Sequence, residues 1–271
     1  MNVLVLSGAA TGIMVQAGML HTALAKGLLG EIRAVYAVSA GSVLGCLLAF
    51  RVPIDDILAY MISRPWEKWF RFGNTELGAA DHKLLRDLVR PLFLAHGIPL
   101  TLTMGQARER FSVDLHIFAT EVREFESVDL SKFPDLPVLD AVCMSAAIYP
   151  LFSPVPFQDT LYIDGGYSCN FPITACLAHH APSDVFAVNV GSEPTTRPLQ
   201  AMDAVETATL IGYQIIMKLT NYKETHAAAA SCKHYYCFHQ SGVLSPDTWI
   251  SRITSSEERE RLIEHGKTLI A

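Results

Sequence analysis

The chain has 271 residues, half of them hydrophobic and 18% charged, with a formal net charge of −6. That length suffices for one large α/β domain with a sizeable core. With 27 acidic against 21 basic residues and no basic cluster, the chain lacks the electrostatic footprint of a nucleic-acid binder, and an anionic membrane would not attract it as a whole.

Residues 3–6 read as a short apolar strand. The small-residue stretch Ser7-Gly8-Ala9-Ala10-Thr11-Gly12 follows, and then apolar residues at helical spacing over 15–28. The stretch admits three readings. It could cradle a phosphate at a helix N-terminus, although neither G-x-x-x-x-G-K-[ST] nor G-x-G-x-x-G is present; its N–H groups could form an oxyanion hole; or it is a plain tight turn. The start, Met-Asn running straight into a strand, has no basic region or cleavage site, so secretion is not expected.

The segment AVYAVSAGSVLG at 34–45 carries the sharpest local signal. A β-branched apolar run to Val38 reads as a buried parallel strand, and 43–50 as a buried helix. Ser39 lies between them among small residues. This is the geometry of a nucleophile elbow, G-x-S-x-G, here Ala37-Val38-Ser39-Ala40-Gly41. The positive end of the following helix would face an oxyanion formed at that serine. Two other readings are a serine in an ordinary buried helix and a membrane helix over 34–50, which is short for one and has Ser39, Gly41, Ser42 and Gly45 in its middle.

Two successive strand–turn–helix units argue a parallel sheet. Residues 53–93 read as helical and irregular. They contain Trp66, Trp69, Phe70 and Phe72 beside Arg64, Lys68 and Arg71, a cluster suited to core packing or to a lid or peripheral membrane face. A short helix over 103–111, a strand over 114–122, a hairpin or loop over 125–137 and a helix over 138–148 come next. A strand then ends in Asp164-Gly165-Gly166, which places a carboxylate at a strand end, where ligands gather in a parallel sheet; a plain Asp-Gly turn is the other reading. A helix over 172–180, a strand over 184–190, a long helix over 202–230, an edge strand over 233–239 and a final helix opened by Ser255-Ser256-Glu257-Glu258 complete the chain. No repeat or linker interrupts it, so a single domain over 1–271 is expected.

The six cysteines (46, 143, 169, 176, 232 and 237) form no C-x-x-C pair and read as reduced core residues of a cytoplasmic setting. Cys232, His234, Cys237 and His239 are near enough in sequence to suggest a metal. Strand alternation would send neighbouring side chains to opposite faces, so no metal site is expected.

Taken in order, these stretches resemble the patatin-like phospholipase family. Three of them carry the likeness: Leu6-Ser7-Gly8 through Gln16-Ala17-Gly18-Met19-Leu20; Val38-Ser39-Ala40-Gly41-Ser42; and Ser145-Ala146-Ala147-Ile148-Tyr149-Pro150 with Asp164-Gly165-Gly166 and Asn170-Phe171-Pro172. The resemblance implies a three-layer α/β sandwich with a mostly parallel sheet. It also implies a catalytic pair without histidine: Ser39 as nucleophile and Asp164 as general base. Gly8, Ala9 and Ala10 would form the oxyanion hole, with Gly41, Gly165 and Gly166 in support. Lipids or other acyl esters would be the substrates, and no metal or cofactor is required. The family loop runs G-G-G-x-[RK]-G, and only its first glycine is kept here. A positive φ at Ala9 or Ala10 would therefore be strained, and the loop's basic residue is absent. Three rivals stand beside this reading: a Ser-His-Asp hydrolase using His179, His180 or His239, acyl transfer to another acceptor, and a non-catalytic protein on the same scaffold.

Overall fold

The computed structural model describes residues 1–66, 80–192, 204–220, 222–240 and 251–270. Its elements, in chain order, are β1 (Val3–Leu6), α1 (Ile13–Ala25), β2 (Ala34–Val38), α2 (Ala40–Ala49), α3 (Ile54–Ser63), α4 (Lys83–Ala95), α5 (Met104–Phe111) and β3 (Asp114–Glu121). Then come β4 (Ser127–Asp129), α6 (Val138–Ala146), β5 (Val155–Phe157), β6 (Thr160–Asp164), α7 (Ile173–Leu177), β7 (Val185–Ser192), α8 (Ala204–Leu219), α9 (Tyr222–Ala229), β8 (His234–Gln240) and α10 (Ser256–Thr268).

The described strands form one mixed, mostly parallel sheet in the order β5-β6-β3-β2-β1-β7-β8, with β4 paired to β3. β3, β2, β1, β7 and β8 are parallel, while β6, β5 and β4 run antiparallel to their neighbours. Every residue of β1 and β2 is buried, as expected for strands covered on both faces. Two apolar clusters lie on the two sides. The larger joins Leu4, Leu6, Val35 and Ala37 to α1, α2, α3, α4 and α6. The smaller joins Val3, Val5, Tyr36 and Val38 to α7 and α9. The alternation along β1 and β2 thus feeds both layers of an α/β sandwich. The final helix, α10, lies against α1 and is tied to the end of α3 by Arg259, whose guanidinium donates to Ile62 O at 2.7 Å and Arg64 O at 3.1 Å.

Two predicted elements change. The long helix over 202–230 is two helices, α8 and α9. The break falls at Thr220, a β-branched residue whose hydroxyl turns back on Ile216 O at 2.9 Å. The helix over 172–180 stops at Leu177, so His179 and His180 lie beyond it. Residues 34–50 are strand, turn and helix, and no helix among the described residues is long and apolar enough to cross a membrane. All six cysteines are free thiols. Of the aromatic and basic cluster, Trp66 and Arg64 are described, whereas Lys68, Trp69, Phe70, Arg71 and Phe72 lie outside the described residues.

Candidate active site

Ser39 sits where β2 gives way to α2, with φ 53° and ψ −130°, a costly conformation for a residue with a Cβ. Neighbouring serines hold it there. Its N–H donates to Ser145 Oγ at 2.8 Å, and the Ser145 hydroxyl in turn donates to Phe118 O at 2.6 Å. Its carbonyl accepts from Ser42 Oγ at 2.6 Å. A Cβ at Gly41 would lie 2.4 Å from Ser7 O, so the elbow closes against β1 only with glycine there.

Asp164 ends β6, on the far side of β3 from β2. Its N–H donates to Ala147 O at 3.0 Å and its carbonyl accepts from Thr120 Oγ1 at 2.9 Å, which fixes the main chain. Oδ1 accepts from Gly166 N–H at 2.7 Å. A Cβ at Gly165 would lie 2.2 Å from Phe118 O, which accounts for the first glycine after the aspartate. The carboxylate is buried, and Oδ2 makes no hydrogen bond of ordinary geometry. Burial pushes its pKa up to about 7, against the opposing pull of the Ser39 hydroxyl and the Gly166 N–H. The Ser39 hydroxyl thus stands near enough to act on the carboxylate.

The Gly8 loop packs directly on Ser39 and Asn170. A Cβ on Gly8 would meet Asn170 Oδ1 at 2.5 Å and Ser39 Cβ at 3.3 Å. Gly8 N–H donates to Asn170 O at 2.9 Å, and buried Gln16 donates to Ser7 O at 3.3 Å. Asn170 is thus clamped between loop and aspartate turn. Ala10 opens a short 3-10 turn with φ 47°, so the strain expected of an alanine in this loop falls on Ala10; Ala9 has φ −136°.

An apolar cavity of about 180 Å³ opens onto Ser39. Its walls include Ile13 and Met14 of α1, Val43 and Leu47 of α2, Val142 of α6, and Trp66. Trp66 is half-buried, donates to Met61 O at 2.8 Å and packs edge-on against Tyr60. It belongs to the cavity wall. Arg252 lines the same cavity, almost fully buried, and its Nη1 donates to Thr11 Oγ1 at 3.0 Å. A cation from the C-terminal part of the chain thus meets the loop that lacks its own.

Ser39 and Ala10 line the cavity, Gly8 packs against Ser39 and Asn170, Gly41 lets the elbow close on the end of β1, and Gly165 and Gly166 form the turn after Asp164. Histidine does not join them. No histidine lines the cavity among the described residues; His180 packs edge-on against Tyr36 on the opposite layer, and His239 lies on the edge strand β8. Sequence reasoning missed Arg252 and the role of Ser145. Ser145 lay inside a recognised stretch, but its partners are 106 and 27 residues away. Arg252 carried no local signal.

Comparison with known proteins follows the same lines. A segment of 47 residues is 38% identical to "Probable lipid hydrolase 463L" of Invertebrate iridescent virus 6, covering 17% of this chain and 16% of that one. Among solved structures, VipD from Legionella pneumophila superposes with a TM-score of 0.50 at 13% identity, over 97% of this chain and 66% of that one, a likeness of fold. ExoU of Pseudomonas aeruginosa gives 0.46 at 14% identity, over 99% of this chain and 52% of that one. The chain therefore spans less than two thirds of each of these proteins. The family model described as patatin-like phospholipase matches residues 4–177, from the first strand through the serine elbow and the Asp-Gly-Gly turn, and on that span this chain belongs to the patatin-like phospholipase family.

Proposed function

We propose that this protein is a serine acyl-ester hydrolase acting on lipids, of phospholipase A or lysophospholipase type, with Ser39 and Asp164 as its catalytic pair. One observation carries the reading: a strained serine lines an apolar cavity, and a buried aspartate stands near enough to feel its hydroxyl. With a pKa of about 7, Asp164 is poised as a base near neutral pH, which an exposed carboxylate is not. Asp164 takes the Ser39 proton as Oγ attacks the ester carbonyl, and the tetrahedral oxyanion forms. The oxyanion faces the loop and the positive end of α2. Gly8, Ala9 and Ala10 form the loop we assign to hold it, with the Gly8 N–H given to Asn170 O. The proton passes from Asp164 to the leaving alkoxide. Water, deprotonated by the same carboxylate, then cleaves the acyl-enzyme and restores Ser39. The cavity would take the acyl chain, and Arg252 would stand near an anionic head group.

Peripheral contact with a lipid surface is supported by α8. Ile211, Ile215 and Leu219, four residues apart, are each more than half exposed on one helical face, and α8 touches the turn after Asp164. Replacing Ile211 and Ile215 together by Glu should reduce co-sedimentation with phosphatidylcholine vesicles; unchanged binding removes this surface from the proposal.

A second reading, a non-catalytic binding protein on this scaffold, draws on the strained Ala10 and the engaged Gly8 N–H. Fluorophosphonate labelling separates the two. Labelling of wild type but not of Ser39→Ala, together with hydrolysis of a p-nitrophenyl ester, supports the enzyme. Absence of both on folded protein favours the scaffold.

A further inference from the structure

On the opposite layer from the cavity, three metal-binding side chains converge. Strand alternation splits the four residues grouped in the sequence. His234 stacks on Phe186 on one face of β8, and Cys232 is buried in the smaller apolar cluster. Cys237 and His239, two apart, share the other face of β8. The sequence grouping omits a third residue, His226, which α9 brings onto that face. Its Nε2 lies 3.3 Å from Cys237 Sγ, and both ring nitrogens of His239 lie 3.9 Å from the same sulfur. One ligand atom from each of the three fits within 4.8 Å of the others.

We propose that His226, Cys237 and His239 form a binding site for a divalent transition-metal ion of the zinc class. Zn–S near 2.3 Å and Zn–N near 2.0–2.1 Å in a tetrahedron put ligand atoms about 3.4–3.6 Å apart, close to the separations here. His239 is exposed, so its ring can turn toward the other two. A thiolate with two imidazoles is a borderline-soft set that favours zinc over magnesium or calcium. The Tyr235 hydroxyl lies 2.8 Å from His226 Nδ1. It lies 3.0 Å from Nε2 as well, within reach of both ring nitrogens. Asn189 adds an independent sign. It pairs in register with Cys237, so both side chains leave the same face of the sheet, and it is fully buried with neither amide atom hydrogen-bonded. A metal-bound water at the fourth position would offer that amide a partner. The site lies three strands from β2, about 14 Å at ordinary strand spacing, so it is separate from Ser39.

The test uses full-length protein stripped with a chelator and titrated with Co²⁺, then Zn²⁺. The expected result is one equivalent of Co²⁺ with a thiolate charge-transfer band and the intense visible bands of a four-coordinate ion, displaced by Zn²⁺. Cys237→Ala should abolish the charge-transfer band. His226→Ala and His239→Ala should each weaken binding by at least about tenfold, with circular dichroism unchanged. Zn²⁺ should also protect Cys237 from iodoacetamide in the wild-type protein, a readout independent of any variant's folding. Weak six-coordinate bands, a charge-transfer band that survives Cys237→Ala, or alkylation of Cys237 unaffected by Zn²⁺ would each overturn the assignment.

Discussion

The main-chain N–H of Ser39 donates to the side-chain oxygen of Ser145 at 2.8 Å, so the strained backbone of the proposed nucleophile is held by a residue 106 positions away. Ser145→Ala leaves that buried N–H without its partner, at a cost of about 1–3 kcal/mol. Ser145 touches no substrate in this scheme and acts by positioning. Ester hydrolysis by Ser145→Ala should therefore show kcat reduced on the order of tenfold with KM nearly unchanged, since about 1.4 kcal/mol is tenfold in rate. Thermal melting should report the stability loss in parallel. An unchanged kcat would make this hydrogen bond purely structural.

Asp164 links catalysis to stability with opposite signs. As the proposed base it must be ionised, so kcat/KM should climb with pH to a plateau above about 7 and fall about tenfold per pH unit below it. Its folded pKa is raised by burial above the ordinary 3.8, so the protonated form favours the folded state. That contribution is complete below the unfolded pKa and is lost as pH rises through about 7. Asp164→Asn should thus abolish hydrolysis yet melt higher than wild type at pH 8. The gap should close toward pH 4, and its ceiling is on the order of 4 kcal/mol. Equal melting temperatures at pH 8 would contradict the burial argument.

Ala10 and Ala9 offer a paired test of loop strain. Ala10→Gly relieves a left-handed residue, worth about 1–2 kcal/mol, against an added unfolded-state entropy of about 0.4–1 kcal/mol. The net should be neutral to mildly stabilising. Ala9→Gly, at φ −136°, gains no relief and should destabilise through the entropy and the loss of a buried methyl together. Melting curves of the two variants decide it.

Arg252 should matter for anionic substrates. Arg252→Gln removes a buried cation beside Thr11, and KM for a phospholipid should rise on the order of tenfold, the scale of one charge-assisted hydrogen bond. A short neutral ester should be hydrolysed with unchanged KM. An equal effect on both esters would show that Arg252 shapes the loop instead of reading the head group.

The chain's local chemistry offers the elbow at Ser39 and the strand-end carboxylate at Asp164 beside plainer readings, and it is their order along the chain that carries the family resemblance. Small residues at fixed offsets constrain the backbone within five or six positions, and apolar β-branched runs mark strands covered on both faces. The parallel core of the sheet and most helix bounds followed from the same short-range periodicity. The helix break at Thr220 did not, because an uninterrupted helical composition hides where a side chain turns back on its own backbone. Tertiary structure alone decided the rest. Ser145 reaches Ser39, and Arg252 reaches Thr11, only after distant elements pack together. His226 joins Cys237 and His239 only because the fold brings α9 beside β8. The basicity of Asp164 likewise comes from desolvation, a property of everything folded around the carboxylate and of no residue beside it in the chain.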